Sequence, residues 1–312
     1  MFNQTNIAPK GWLAFELNVL RRLKFASAAL PFTPDAGIGA YLKRWNVRVL
    51  ANDLTLSGWT KAVAAIENNG KMLSEQEVEA VLEDVYVPRF RLNNQALRNW
   101  FGETDAWWFD NVRNNIECLS SPISRAIATT IALGVGDYAL SFTDDTLELR
   151  QPLSNIFRRL WSVVPAPVNN GQNNQCANKN GYEFIADVDN RADLMFLRLP
   201  RAHNLSQRNY LGWTAWREEF LRGGDDFWDD LELRQAGRLG TLIETKSQYL
   251  RLLEETLRTA SHIGAWAIAH VEDGFVSAQD IAETVGRVRR VDTIYTKDFS
   301  ELTGAKAVII TA

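Results

Sequence analysis

The sequence predicts an α/β fold, a parallel doubly wound sheet interrupted by a long helical insertion. Three observations predict it. A glycine turn follows the first apolar stretch directly, a short β-branched stretch ending in an acid comes next, and strand signals then vanish between about residues 70 and 170 before apolar strands return. An opening that alternates β-α-β-α needs helices on both faces of a parallel sheet.

The elements follow in order. Residues 12–24 place Leu13, Leu17, Leu20 and Leu23 at helical spacing, with basic residues towards the C-terminal end. The apolar run Ala28-Ala29-Leu30-Pro31-Phe32 enters Thr33-Pro34-Asp35-Ala36-Gly37-Ile38-Gly39, and Ala40-Tyr41-Leu42 begins a helix, which together read as strand, turn and helix. Val47–Ala51 forms the next strand and ends in Asn52-Asp53. Residues 57–68 form a helix stopped at Asn69-Gly70. From Ser74, whose spacing to Glu77 is that of a capping box, helical runs continue to about residue 160, including 123–141 and 152–162. Residues 70–170 are therefore expected as a helical insertion, with 1–69 and 171–312 forming the α/β domain. The asparagine-rich 168–180 reads as a solvated connector. Asp193–Pro200 is a near-continuous apolar strand, as burial on both faces requires. Residues 201–240 read as a long charged loop, 246–261 as helix, 263–270 as strand, 277–286 as helix, and 291–296 and 307–311 as closing strands.

Composition excludes several classes. With 46% hydrophobic and 23% charged residues the chain has ordinary globular usage and no disorder signature. A net charge of −4 excludes a uniformly basic surface, so nucleic acid would have to meet a local basic patch. No apolar run reaches bilayer length and the first ten residues lack a signal-peptide core, so no membrane association is expected. Cys118 and Cys176 fit no metal or disulfide pattern, which makes the cytoplasm the expected compartment. His203, His262 and His270 lack metal-ligand spacing, so no metal is expected. The 11 tryptophans, including Trp107–Trp108 and Trp213/Trp216, read as core before they read as base-stacking platforms.

The turn at Pro34, Ala36, Gly37 and Gly39 gains meaning from Asp53, 14 residues after Gly39 at the end of the second strand. A glycine turn lets backbone approach a ligand, the helix behind it offers free N–H groups, and an acid on the second strand can hold ribose hydroxyls. Each has a bland counterpart: a tight strand-to-helix turn for the glycines, an N-cap for Asp53. Together they point to a nucleoside-containing cofactor.

Here a family resemblance enters. Phe32–Arg44 resembles the first motif of the Dam-type (D-P-P-Y class) DNA adenine-N6 methyltransferases, F-x-P-F-A-G-G-G followed by a helix, and Arg48–Leu54 resembles the second. The similarity continues at Ala64–Asn69 and Leu73–Val78, and resumes at Asn178–Ile185, Ala192–Pro200 and through 249–311. The resemblance implies a Rossmann-like S-adenosylmethionine-dependent methyltransferase fold, an S-adenosylmethionine site and double-stranded DNA read through the insertion, in the manner of restriction-modification enzymes. It implies Pro34, Ala36, Gly37, Gly39, Asp53 and Asn180 as cofactor contacts.

The departures matter more. The family's catalytic strand ends in D-P-P-Y, whose acid accepts a hydrogen bond from the adenine amino group and whose aromatic ring stacks on the flipped base. The matching positions are Arg198-Leu199-Pro200-Arg201. Arginine has donors and no acceptor, so Arg198 cannot take the amino proton, and its charge opposes the sulfonium and the developing ammonium. One well-placed group of this kind is worth about 3 kcal/mol, and inverting its sign costs more. Asn180 replaces an acid, Asp35 an aromatic and Ile38 a glycine, while Lys10-Gly11-Trp12 only weakly resembles the family's N-terminal cofactor segment. Ile38 narrows the cofactor's room, so retention of S-adenosylmethionine is left open.

Arg191, Arg198, Arg201, His203 and Arg208 could hold phosphates, with Arg201 and Arg208 as DNA contacts, or they could pair with the acid run at 225–230; both readings stay open. Three functions follow. The first is a catalytically impaired methyltransferase-like protein acting as a DNA-binding or partner-binding subunit. The second is an active adenine methyltransferase, and the third is a protein-interaction module that uses neither ligand.

Overall fold

The computed structural model describes residues 11–188, 192–272, 274–299 and 306–312. Lys10 and Arg191 lie outside the described residues. The chain opens with α1 (Trp12–Leu20), β1 (Ser27–Leu30), α2 (Gly37–Arg44), β2 (Arg48–Asn52) and α3 (Leu56–Ala62), and α3 runs into a π-helical turn at Val63–Glu67. The helical tract holds α4 (Glu75–Val81), α5 (Glu103–Glu117), α6 (Pro122–Ala139) and α7 (Leu153–Ser162). Then come β3 (Gln175–Ala177), α8 (Gly181–Asp187), β4 (Leu194–Arg198), α9 (Gln207–Leu211), α10 (Ala215–Arg222) and α11 (Trp228–Gln235). The chain closes with α12 (Lys246–Thr259), β5 (Ala265–Glu272), α13 (Ala278–Val288), β6 (Thr293–Asp298) and β7 (Lys306–Thr311).

The strands form one seven-stranded sheet in the order β3-β2-β1-β4-β5-β7-β6. The first five pair in parallel, and β7 runs antiparallel between β5 and β6. Doubly wound α/β architecture is thus present. The winding reverses between β1 and β4, which makes the carboxyl ends of those strands the topological switch point. Side chains of β4 alternate between two cores. Leu194 and Phe196 join α1 and α2 on one face, while Met195 and Leu197 join α8, α12 and α13 on the other. Burial on both faces explains why this strand is apolar throughout.

Two segments differ from the sequence expectation. The connector 168–180 contributes β3, which pairs with Leu50–Asn52. Its asparagines extend that ladder with side chains: the Val49 N–H donates to Asn174 Oδ1 at 2.9 Å, and Asn170 Nδ2 donates to the Val47 carbonyl at 2.9 Å. Turn-forming residues here act as strand edge. The charged 201–240 carries three short helices, one of which, α10, belongs to the helical core.

That core is aromatic. Trp108, Phe109, Phe157 and Phe101 from the 70–170 tract meet Trp216 and Phe220 from α10, so the helical body is built from two excursions of the chain. No strand occurs between 70 and 170 among the described residues. The capping box forms as the spacing requires, Ser74 N–H donating to Glu77 Oε2 at 2.8 Å and Glu77 N–H to Ser74 Oγ at 3.2 Å. Among the described residues no helix is long and apolar enough to cross a membrane.

Candidate functional site

The switch point gathers most of the residues singled out from sequence. Pro34, Ala36, Gly37 and Gly39 follow β1, Asp53 follows β2, Asn180 follows β3, and Arg198 to Arg201 end β4. Arg208 lies apart, on α9. Parallel pairing places the carboxyl ends of the four strands side by side, where a doubly wound sheet binds its ligand. What distinguishes this crevice is that its polar groups already have partners within the protein.

Asp53 shows this first. Its Oδ2 accepts from the Thr33 N–H at 3.0 Å, and its Oδ1 accepts from the Thr55 N–H at 2.9 Å and from the Thr55 hydroxyl. Thr33 belongs to the turn after β1, so the carboxylate ties the two ligand-side turns together. Gly58 lies against it, since a Cβ there would stand 2.6 Å from Asp53 Cγ. Asp53 is buried, and burial pushes its pKa from 3.8 up to about 6 against the pull of its hydrogen bonds, with Glu218 adding repulsion. A raised folded-state pKa means stability that is complete below pH 3.8 and is lost as pH rises through about 6. Asp53→Asn is therefore expected to remove up to about 3 kcal/mol of that dependence. Urea unfolding of both proteins across this window checks it, and parallel pH profiles would contradict the assignment.

The helix N-termini, ready anion sites in this class of fold, are also occupied. Glu218 of α10 accepts from the Leu56 and Ser57 N–H groups at 2.9 and 2.8 Å, so it caps α3 from the second excursion. The Gly37 N–H donates to Asp35 Oδ1 at 3.0 Å. Gly39 serves packing: a Cβ there would lie 2.3 Å from Ile66 Cδ1 of the π-helical turn. Asn180 caps α8 by accepting from the Tyr182 N–H and donates to the Arg234 carbonyl at 2.9 Å. Phe32 fills the space over Gly181, where a Cβ would meet its ring at 2.6 Å. Gly37, Asp53 and Asn180, implied by the resemblance as cofactor contacts, are thus hydrogen-bonded within the protein.

The end of β4 carries the central feature. Arg198 donates through Nε to Glu16 Oε1 at 2.9 Å and through Nη2 to Glu16 Oε2 at 2.7 Å, a bidentate pair with α1. Glu16 is completely buried, and burial raises its pKa even against the adjacent guanidinium. A carboxylate therefore stands beside Arg198-Leu199-Pro200-Arg201, but both of its oxygens are held by Arg198. The Pro200 carbonyl accepts from the Tyr249 hydroxyl at 2.8 Å. Arg201 is half-buried and likewise engaged.

Within the basic cluster, Arg198 and Arg208 pair with carboxylates outside the acid run at 225–230. Arg208 pairs with Glu219 of α10 at 2.8 Å rather than with the acid run at 225–230, and Glu219 also accepts from the indoles of Trp100 and Trp228. His203 stacks on Tyr210, its ring nitrogens at carbonyls of Leu205 and Gly240. Among the described residues no cluster of metal-ligating side chains occurs.

Three residues that organise the site were not singled out from sequence: Glu16, Glu218 and Glu219. Glu16 had a legible signal, a carboxylate inside the apolar helical repeat Trp12–Leu20 that has to find a cation or N–H groups, whereas Glu218 and Glu219 lie in a short charged helix that gives none. The chain matches no known protein-family model, and no curated protein matches it.

Proposed function

We propose that this chain is a DNA-binding module of methyltransferase-like architecture that does not transfer methyl groups. The observation that carries the reading is the Arg198–Glu16 pair, an engaged guanidinium at the position that the sequence resemblance matches to the acceptor needed for adenine methylation. Support for the architecture comes from the sheet. Its order matches the dinucleotide-binding one from β3 to β5 and then departs, because β7 enters antiparallel between β5 and β6. Nucleoside chemistry has given way to packing in the crevice, so binding is assigned to the helical body.

Support for a nucleic-acid partner comes from the segment between α4 and α5. Phe90 is fully exposed there, between exposed Arg89 and Arg91 and near the exposed Tyr86 and Val87. An apolar ring flanked by two guanidinium groups suits a wedge or stacking contact with bases, steadied by phosphates. Gel-shift titration with duplex DNA over a range of salt tests the reading. Phe90→Ala is expected to weaken binding roughly tenfold, and neutralising Arg89 and Arg91 with glutamine to lower the salt slope by about one for each phosphate no longer neutralised. No labelled methyl group should reach an adenine-containing duplex. Salt-independent association, or methyl transfer that disappears on Gly37→Arg, would overturn the proposal.

A further inference from the structure

Beside the crevice, sharing Asp35 and Ala36 of the turn after β1 with it, a cavity of about 330 Å³ opens between the sheet's helices and the helical body. One wall is α2 with the π-helical turn, the opposite wall is α6, and the segment 161–168 closes the end. Ala40, Ala64, Ile127, Ile131, Trp161 and Val164 make the lining mostly apolar. The volume falls within the range of small-molecule sites, which join apolar walls to a few polar groups that orient the ligand.

The charged groups here are unequal. Lys61, Arg44 and Lys71 line the cavity against a single carboxylate, Asp35. Lys71 is paired with Glu77 at 3.0 Å, and the Arg44 guanidinium lies over the Tyr41 ring. Lys61 is half-buried, and its ammonium makes no hydrogen bond or ion pair among the described residues. Burial pulls its pKa below the ordinary lysine value, helped by the Arg217 guanidinium and opposed by Asp137, Asp35 and Asp53. Asp137, Asp35 and Asp53 act on it only from beyond ion-pair distance, so the half-buried ammonium lacks a direct partner, a cost that a ligand anion would relieve.

We propose that this cavity binds a small amphipathic monoanion, a carboxylate on an apolar body, with its charge at Lys61 and its body between α2 and α6. A neutral ligand would leave the Lys61 ammonium without a hydrogen-bond partner, and a cationic one would set a like charge beside it. The proposal rests on the cavity alone, so its outcome is separable from that of the DNA reading.

Calorimetric titration of the full chain with decanoate, held below its micelle concentration, tests the site against decanol as a neutral match. Decanoate is expected to bind saturably and decanol at least about tenfold more weakly, the usual worth of a charged hydrogen bond. Lys61→Met should cost decanoate about the same factor and leave decanol unchanged, while Lys61→Arg should retain most of the binding. Ala40→Phe, which fills the cavity from α2, should abolish binding of both, with circular dichroism reporting whether each variant is folded. Equal affinity for acid and alcohol, indifference to Lys61→Met in a folded protein, or absence of saturable binding would overturn the assignment.

Discussion

Replacing Arg198 with methionine is expected to destabilise the protein by about 3–5 kcal/mol, because it leaves Glu16 buried without its cation. The two deletions are unequal. Arg198 keeps 18% of its side chain exposed and can recover some hydration when Glu16 is lost, whereas Glu16 has no exposure at all. Glu16→Leu should therefore cost less than Arg198→Met, and the double variant should return close to the parent, since a well-packed apolar pair often matches a buried ion pair. The pH dependence identifies the cause. Without the guanidinium, the already raised pKa of Glu16 rises further, so the folded variant holds a proton that the unfolded chain releases near 4.5. Its deficit against the parent should be small in acid and grow as pH rises. Urea midpoints for the four proteins at acid and neutral pH decide the matter, and a deficit independent of pH would mean that lost packing, not a stranded carboxylate, sets the cost. The same pair bears on chemistry. Installing Asp-Pro-Pro-Tyr with Arg198→Asp, Leu199→Pro and Arg201→Tyr would set two carboxylates against each other in a buried site. Methyl transfer is not expected from that variant even in the presence of S-adenosylmethionine.

The fold was legible wherever burial imposes a period. The β4 run is apolar because both faces are covered, and the 277–286 helix and closing strands were placed to within about two residues. What escaped was structure held by side chains rather than by repeat. β3 is only three residues long and rests on asparagine side chains that extend its ladder, so its composition reads as turn. The helices α9 to α11 are each eight residues or shorter, too brief for a periodic signal, and polar and charged residues dominate them. The site was half legible. Sequence placed Asp53, Asn180 and Arg198 at the carboxyl edge, since strand ends fix position. It could not tell that Thr33, Arg234 and Glu16 engage them, because partners 20 to 182 residues away depend on the packing of other helices.

Gly136→Ala is expected to be the most damaging single-methyl change in the helical body. A Cβ at this position of α6 would stand 2.1 Å from Cη2 and 2.3 Å from Cζ2 of Trp216, whose ring is completely buried. Alanine gains about 1 kcal/mol over glycine in a helix interior, but overpacking on this scale costs about 3 kcal/mol or more, so the net effect is loss. Trp216 cannot easily turn aside. Phe101 lies edge-on 5.4 Å away, and Phe109 and Phe220 lie within 6.0 Å. A smaller ring at 216 should relieve the clash. Among the described residues the indole Nε1 of Trp216 has no hydrogen-bond partner, so Trp216→Phe removes volume without stranding a polar group. Trp216→Phe should therefore be mild alone and should suppress Gly136→Ala, giving a coupling of more than about 1 kcal/mol in a double-mutant cycle. Additive effects would place the strain elsewhere. The consequence reaches the crevice through α10, since the helix that seats Trp216 against Gly136 also supplies Glu218 to the N-terminus of α3 beside Asp53. Displacing α10 should free those N–H groups and lower the raised pKa of Asp53 by withdrawing the repulsion of Glu218. In the Gly136→Ala protein the acid-side stability that Asp53 contributes should shrink accordingly.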